Sequence, residues 1–451
     1  MTTIAAPRPT APRRRVIPLV GQTLAYFHDP LRTLRYHYDT SGPVSDYNFV
    51  GRRWTMLLGP DACEIALRNA DKAFANAGGW GYLIGPFFDR GLMLLDFEEH
   101  RAHRRILQEA FTRDRLVGYM ASLGPAIEAG LDAWQPGPQF QAYPALKDLT
   151  LDLATQIFMG GADLAEADEL ARVNQAFIDC VQAGLGFVRF PLPGTRWRRG
   201  IRGRRVLEEF FGRQVPARRA SGGTDLFSAL CHIEDDEGTR LSDEDIVNHM
   251  IFLLMAAHDT STITVTTMMQ QLGQHPEWQD RCRAESAALP EHPSLDEVDQ
   301  LTSLDLVMKE CLRLVAPVPG LARQAVKDTE VLGHRIPAGR LVSVGVHLSH
   351  HMSELWPDAE RFDPERFAEH RREDKVHRYA WQPFGGGVHK CIGMYFGGAE
   401  VKMIVHELLR RFEWTVDPDY VAPMNYHSLP FPKDGLPVDL RPLDQGSADE
   451  S

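Results

Sequence analysis

Residues 382–400 read QPFGGGVHKCIGMYFGGAE, and the fold turns on what this stretch is for. Gly385, Gly386, Gly387 and Gly393 crowd around a single cysteine, Cys391, and an apolar helical pattern follows. A thiolate, not a thiol, ligates a metal, so a cysteine with that task needs a lowered pKa. Cys391 is expected at the N-terminal end of the helix that continues IGMYFGGAEVKMIVHELLRRF. Free backbone N–H groups there face the sulfur, and the helix dipole favours negative charge. The three consecutive glycines permit positive φ and a tight turn that brings N–H groups near the sulfur. Gly393 removes a side chain that would crowd a flat partner. Phe384 can shield the sulfur from water, and His389 can reach an acidic group on the partner. The competing reading is a buried structural cysteine beside an ordinary turn, the commoner fate of a lone cysteine. A P-loop is excluded, because Lys390 follows histidine and precedes cysteine. A zinc site is excluded because no further ligand lies at suitable spacing.

The rest of the 451-residue chain sets bounds. It is 43% hydrophobic and 24% charged, as expected of a soluble globular protein with a large core. A net charge of -12 argues against a non-specific nucleic-acid binder. No apolar run approaches the roughly 18–20 residues of a membrane span. The start, MTTIAAPRPTAPRRRV, has basic residues but no apolar h-region, so residues 1–15 read as a disordered arm and not a signal peptide. Cys63, Cys180, Cys231, Cys282, Cys311 and Cys391 are scattered without a C-x-x-C pair, which points to reduced thiols and a cytoplasmic location.

Helical patterns dominate. Residues 30–39 and 60–70 read as helices, flanking strands near 43–49 and 52–57 that Gly51 separates. The stretch ANAGGWGYLIGPFFDRG (75–91) reads as a loop whose aromatics face something apolar. Helical periodicity resumes at 97–113 and persists, with breaks, to about 219. One break, LGFVRFPLPGTRWRRG (185–200), is both apolar and basic and suits either a membrane surface or a plain loop. The longest helix is expected over 242–271, with Ser242 as N-cap and acids in its first turn. It is apolar nearly all round from Met250 to Ala257, hence buried, yet carries His258, Asp259, Thr260, Ser261 and Thr262 at its middle. Buried polar groups are costly unless satisfied. Back-bonding of Thr260 to a carbonyl one turn earlier is the plain alternative to a chemical role. A helix over 304–315 puts Glu310 and Arg313 on one face. Residues after about 411 read as strands and turns.

The run Phe384-x-x-Gly387-x-x-x-Cys391-x-Gly393 resembles the haem-binding signature of the cytochrome P450 family. Glu310-x-x-Arg313 resembles the family's E-x-x-R helix, and Pro364-Glu365-Arg366-Phe367 its P-E-R-F segment. By that resemblance Arg366 joins Glu310 and Arg313 in a buried triad that supports the cysteine loop. Ala256-Ala257-His258-Asp259-Thr260-Ser261 resembles the oxygen-binding motif [AG]-G-x-[DE]-T-[TS], with Ala257 where glycine is usual. His100-x-x-x-Arg104 and Arg323 match haem-propionate contacts, alongside His389. The motifs run in family order from about residue 30 to 440, so one domain over 16–440 is expected, with 441–451 as a tail.

The resemblance implies a mainly α fold with small β-sheets, a triangular prism whose long central helix crosses the haem. It implies haem b held by Cys391, and a monooxygenase that inserts one atom of O2 into a C–H bond. Thr260 would steer protons and Asp259 would relay them from solvent. By position, the pocket is expected from Trp80, Tyr82, Leu83, Ile84, Phe87 and Phe88, with Leu253 and Ala256 on the long helix. Val318, Leu321, Leu429 and Phe431 complete it. So apolar a lining suits a terpenoid, steroid or fatty-acid-like substrate, and the A-x-H-x-T-S pattern is loosely similar to that of sterol-acting and other eukaryote-like branches. No flavin or ferredoxin module is expected on the chain, so electrons come from a separate ferredoxin and ferredoxin reductase. Arg101, Arg105 and Lys390 either dock that acidic donor or form a solvated face. A peroxide-driven or isomerising enzyme and a non-catalytic haem sensor are the alternatives; neither needs the Asp259–Thr260 pair.

Overall fold

The structure is a computed structural model and describes residues 22–160, 167–184, 189–235 and 237–443. The expected arm (1–15), residues 185–188 and the tail from 444 lie outside the described residues.

Helices α1 (Thr23–His28) and α2 (Pro30–Ser41) lead into a hairpin of β1 (Val44–Phe49) and β2 (Arg52–Leu58). At its turn Val50 and Gly51 have φ of 48° and 74°, the positive values that a two-residue type I′ connection requires. α3 (Pro60–Arg68) and the short β3 (Phe74–Ala75) follow. Then come α4 (Asn76–Phe88), α5 (Phe97–Glu109), α6 (Arg113–Asp132), β4 (Gly137–Gln141) and α7 (Ala142–Met159). α8 (Ala167–Gly184), α9 (Arg196–Ala220) and α10 (Leu226–His232) precede the long α11 (Asp243–Gln274). After α12 (Pro276–Ala287), α13 (Leu295–Val298) and α14 (Thr302–Leu314) the chain turns to strands: β5 (Leu321–Ala325), β6 (Thr329–Val331), β7 (His334–Ile336) and β8 (Leu341–Gly345). α15 (Val346–His350) and α16 (Met394–Arg411) are the remaining helices. β9 (Phe412–Thr415), β10 (Met424–Asn425), β11 (Phe431–Pro432) and β12 (Pro437–Pro442) end the described chain. The largest sheet has the order β1-β2-β8-β5-β3 and is mixed, with β2 and β8 parallel. Helices carry the main core, and the sheets are small, as expected.

α11 forms as its sequence dictates. Ser242 accepts a hydrogen bond from the Asp245 amide at 3.0 Å, and Asp243, Glu244 and Asp245 fill the first turn. It packs against α7, α9, α14 and α16, so it is buried on nearly every side. The exception is its middle: Met255, Ala256, Ala257, Asp259 and Thr260 are half-buried between fully buried turns.

The glycine-rich stretch at 75–91 departs from expectation. It is the helix α4, not a loop. Its glycines serve close packing. A Cβ on Gly79 would lie 2.4 Å from the backbone nitrogen of Arg323 in β5, and one on Gly78 would strike the Gln324 side chain. The helix therefore rests directly on strand backbone. Asp96 caps it from a distance, accepting from the Asn76 and Ala77 amides at 2.6 and 2.9 Å.

Candidate active site

The cysteine loop is tied at several points. The Cys391 amide donates to Phe384 O at 2.9 Å, and Gly385 N donates to Gln382 O at 3.0 Å. Gly385 and Gly387 have φ of 68° and 64°. Gly387 is also forced by contact, since a Cβ there would sit 1.9 Å from Leu67 O on α3. Phe384 packs against the main core and edge-on to Trp381. Nothing lies within 4 Å of a Cβ built on Gly393, so the space beside the cysteine is open.

Cys391 is the one exposed cysteine among the described residues; the other five are buried. Its sulfur is nevertheless surrounded closely enough by protein atoms for desolvation to dominate its titration. That depth reverses one expectation. Burial pushes the Cys391 thiol above its ordinary pKa, outweighing the Gly393 amide, Arg104 and Lys390, which pull it down. The helix-terminus argument counted only the local dipole, and the wider desolvation wins.

Beside the cysteine lies a crowded group of cations and histidines. His100 and His389 stack with ring centroids 3.8 Å apart. Asn76 Nδ2 donates to His389 Nδ1 at 3.1 Å, which leaves the proton of that ring on Nε2. Burial, then the charge of Arg104, lowers the His100 pKa to about 4. Burial, then His100, takes His389 to about 2. Arg323 is 5% exposed, and its side chain makes one hydrogen bond, from Nη1 to Ala322 O at 2.9 Å. Burial lowers its pKa to about 10, with the Asp96 carboxylate acting weakly against that. His100 Nδ1 and Asn76 Oδ1 are buried without partners. A buried guanidinium with one carbonyl for company, next to orphaned ring nitrogens, fits a ligand that brings anionic carboxylates. The two propionates of haem are such groups, so these residues suit it.

On the far side of the loop, Glu310, Arg313 and Arg366 are 0%, 0% and 1% exposed. Arg313 grips Glu310 through two bonds, Nε to Oε2 at 2.7 Å and Nη2 to Oε1 at 2.8 Å. Arg366 Nε lies 3.4 Å from Glu310 Oε1, and its Nη1 donates to Glu373 at 2.9 Å. Arg313 Nη1 also donates to His350 O at 2.8 Å, and the His350 ring accepts from Gln382 N at 3.0 Å. A continuous path of hydrogen bonds thus joins the triad to the base of the cysteine loop.

The open middle of α11 holds the acid and the alcohol. Asp259 is 3.4 Å from Lys147 Nζ and 3.2 Å from His258 Nδ1. Burial alone would raise the Asp259 carboxyl, but hydrogen bonding and charge from His258 and Lys147 outweigh it and hold it below its ordinary value. His258 Nε2 faces Lys147 O at 3.1 Å and must be the donor, since a carbonyl only accepts. Neutral His258 then turns a bare Nδ1 toward Asp259, so the contact is favourable only when it holds a proton. Thr260 Oγ1 donates to Ala256 O at 2.8 Å, the back-bond that was the plain alternative. Thr262, Thr264, Thr266 and Thr267 do the same, so the bond is the habit of this helix. Thr260 differs from them in being half-open rather than buried. Ala257, in place of the usual glycine, packs against the main core.

Several of these partners were not singled out from the sequence: Asn76, Asp96, Lys147 and Glu400. Ser261 Oγ donates to Glu400 Oε2 at 2.5 Å and ties α11 to the cysteine helix α16. Burial pushes Glu400 up to about 7. Only its placement in an apolar helical stretch could have flagged it.

The expected pocket residues divide. Ile84, Phe87, Phe88 and Leu253 are buried in the main core. Trp80, Leu83, Ala256, Val318, Leu321, Leu429 and Phe431 are half-buried. Phe87 meets Trp197 of α9 edge-on at 4.9 Å. Tyr82 is half-buried and packs against the smaller core around Trp54, its hydroxyl donating to Val50 O at 2.7 Å and its ring lying under Arg189. Phe431 stacks on Tyr143 at 5.1 Å.

Comparison with known proteins agrees with this geometry. The family model described as Cytochrome P450 matches residues 10–438. The protein named cytochrome P450 136 from Mycobacterium tuberculosis is 47% identical over 94% of this chain and 87% of its own length. Cyclooctat-9-en-7-ol 5-monooxygenase of Streptomyces melanosporofaciens is 30% identical over 89% and 88% of the two chains. The solved structure of retinoic acid bound cyanobacterial CYP120A1 superposes with a TM-score of 0.83 at 28% identity, covering 95% of this chain and 98% of that one. The chain belongs to the cytochrome P450 family and is a haem-thiolate monooxygenase.

Proposed function

We propose that this monooxygenase binds haem b and oxidises a lipophilic terpenoid, steroid or fatty-acid-like substrate, with electrons from a separate ferredoxin and ferredoxin reductase. Haem, when bound, supplies O2 activation: two electrons and two protons turn O2 into one water and one oxygen atom placed in a C–H bond. Cys391 would hold the haem iron through its thiolate. Arg104 and Arg323 would neutralise the propionates and the neutral rings of His100 and His389 would offer them hydrogen bonds, while Phe384, Gly387 and Gly393 would shape the cysteine loop. Asp259 passes protons inward from Lys147, whose side chain is 35% exposed against 14% for Asp259. Thr260 holds a proton at Oγ1 on the recess side of α11. Wall residues from α4, α11, the segment after α14 and the C-terminal strands are apolar and exclude water, which favours productive use of electrons. The relatives named for cyclooctat-9-en-7-ol and for bound retinoic acid support a lipophilic substrate. Arg105, whose charge acts on Asp235, and Lys390 are exposed, and with Arg101 they suit an acidic donor protein. Among those residues no helix is long and apolar enough to cross a membrane.

The observation that carries the reading is Cys391, with open space at Gly393, beside one buried, under-partnered set of arginines and histidines. The test is the ferrous carbon monoxide spectrum. Wild type should show the red-shifted Soret band of thiolate ligation, Cys391→Ala should lose it, and replacing the other five cysteines should not matter. A Cys391→Ala protein that keeps the band refutes the assignment.

A further inference from the structure

Pro319 and Gly320 join two of the expected wall residues, Val318 and Leu321, and against them lies a polar cluster that the chemistry so far leaves unused. His347 N donates to Pro319 O at 3.0 Å, which sets His347 beside this segment, at the start of α15 just past β8. A Cβ built on Gly320 would lie 3.6 Å from the Tyr26 hydroxyl of α1. The third member is Tyr426, on the connection between β10 and β11 that also carries Leu429. Its ring is 6.4 Å from that of His347. Elements far apart in the chain thus bring two phenols and an imidazole to one stretch of pocket wall.

None of the three is satisfied. His347 is 5% exposed, its Nδ1 is enclosed, and neither ring nitrogen has a hydrogen bond among the described residues. The hydroxyls of Tyr26 and Tyr426, both half-buried residues, have none there either. The next histidines along the chain differ. His350 accepts from Gln382 N at 3.0 Å, and His351 lies 2.9 Å from Glu360 Oε1 and 3.1 Å from Leu314 O. Burial, then the charge of His351, holds the His347 pKa below its ordinary value. Burial, then Tyr426, pushes Tyr26 up to about 12. Burial, then Asp29 and Glu360, raises Tyr426. All three are therefore neutral at about pH 7, and the charge acting on Tyr426 is negative. The arginines close by do not reverse it. Arg32 and Arg35 line an outer groove together with Asp29 and Glu360, two cations against two acids. Arg35 is also held by His351 O at 3.2 Å and Glu354 at 3.6 Å.

We propose that Tyr26, His347 and Tyr426 bind the hydroxyl group of a neutral lipophilic alcohol, holding the polar end of the substrate while its hydrocarbon body fills the apolar pocket. A buried polar group without a partner is costly, and a ligand that supplies the missing bond removes that cost. An alcohol both donates and accepts, so it can give its proton to a ring nitrogen of His347 and accept from a tyrosine. A hydrocarbon would leave all three groups unpaired. A carboxylate has no proton to give and would stand near Asp29 and Glu360 with no cation of its own. Of the substrate classes proposed above, steroid and terpenoid alcohols therefore fit and fatty acids do not. The inference rests on the proposed lipophilic substrate and narrows it.

The test is equilibrium dialysis of labelled probes against the full haem-loaded chain. Two matched sets serve: androstane, androstanol and androstane carboxylic acid, and dodecane, dodecanol and dodecanoic acid. In whichever skeleton fits, the alcohol should bind roughly tenfold or more tighter than the hydrocarbon, the worth of two neutral hydrogen bonds, and tighter than the acid. Tyr26→Phe and Tyr426→Phe should each weaken alcohol binding roughly threefold to tenfold and leave hydrocarbon binding unchanged. His347→Leu should lose most of the preference for the alcohol yet melt at or above wild type, because the imidazole it removes has no partner in the empty protein. An unchanged carbon monoxide spectrum verifies that each variant folds and holds haem. Equal affinity for alcohol and hydrocarbon overturns the proposal, as does a preference for the acid. So does an alcohol preference that survives all three substitutions, or a His347→Leu protein that melts lower while the preference stays. Each of these leaves the lipophilic substrate standing. If neither skeleton binds in any form, that broader reading fails first and the proposal falls with it.

Discussion

Two clusters of buried charge flank the cysteine loop, and they are built in opposite ways. In the triad, Glu310 accepts two bonds from Arg313 and a third from the Asp363 amide, and Arg313 reaches the carbonyls of His350, Ala359 and Arg361. Across the loop, buried Arg323 has one carbonyl, and His100 Nδ1 and Asn76 Oδ1 have nothing. The first cluster is closed almost wholly within the protein, with only Arg366 Nε of its three side chains lacking a hydrogen bond, 3.4 Å from Glu310 Oε1, and it acts as a clamp. The second is incomplete and acts as a socket. Satisfied polar groups fix a fold, and unsatisfied ones mark where a ligand supplies what is missing.

The sharpest way to break this contrast is at the clamp. Glu310→Ala or Arg313→Ala leaves a buried charge without its partner, at a cost of about 3–5 kcal/mol. Either variant should yield little folded, haem-loaded protein. Ordinary haem content and melting temperature in both would show that the pair does not hold the loop.

Glu400 is a third solution to burial: desolvation keeps its proton on, against the pull of the Ser261 donor. Folded Glu400 titrates at about 7, whereas an unfolded glutamate titrates near ~4.3. Between those values the folded state holds the extra proton. Its contribution to stability is therefore complete below the lower value and is lost as pH rises to about 7, by about 3 kcal/mol. Glu400→Gln should match wild type near the lower pH and exceed its unfolding free energy by roughly that amount above pH 7. Glu407, also raised to about 7, tilts both proteins alike, so the difference between them isolates Glu400. Urea melts across that range decide it; parallel pH profiles would mean Glu400 is ionised throughout.

The socket should respond with the opposite sign to the clamp. Arg323→Leu removes a desolvated charge, so the haem-free chain should be no less stable. The haem-loaded protein should lose a charge-assisted hydrogen bond of about 1.5–3 kcal/mol, seen as haem loss to a scavenger roughly tenfold to a hundredfold faster. A variant that destabilises the haem-free chain as much as Arg313→Ala does would erase the distinction between clamp and socket.

How much of this was legible in the sequence follows from distance along the chain. Glu310 with Arg313, Asp259 with Thr260, and the loop around Cys391 lie within a few residues of each other, so spacing reveals them. Asn76 with His389, Lys147 with Asp259, and Ser261 with Glu400 are more than a hundred residues apart, and no local pattern joins them. α4 was misread because glycine usually signals a turn, whereas Gly78 and Gly79 are there so that helix and strand can touch. The thiol of Cys391 was misjudged for a related reason: helix ends are visible in sequence, and depth of burial is not.

The smallest effect on stability, and the most specific on chemistry, is expected at Thr260. Its back-bond to Ala256 O is matched one turn on by that of Thr264 to Thr260 O, both at 2.8 Å. Replacing either by alanine removes the same hydrogen bond, and each should cost within about 1 kcal/mol. The two positions differ in where they look. Thr264 is 5% exposed in the core, and Thr260 is half-open beside Asp259. Thr260→Ala should keep haem and substrate binding while less of the electron flow ends in product and more in peroxide or water. Thr264→Ala should leave that partition unchanged. Asp259→Asn should instead slow turnover, because an amide cannot relay the proton that the carboxylate takes from the Lys147 side. NAD(P)H use, peroxide and product measured together on a true substrate separate these outcomes. If Thr260→Ala and Thr264→Ala couple equally well, Thr260 is one more helix-bonded threonine and the proton must enter by another route, of which Ser261–Glu400 is the nearest.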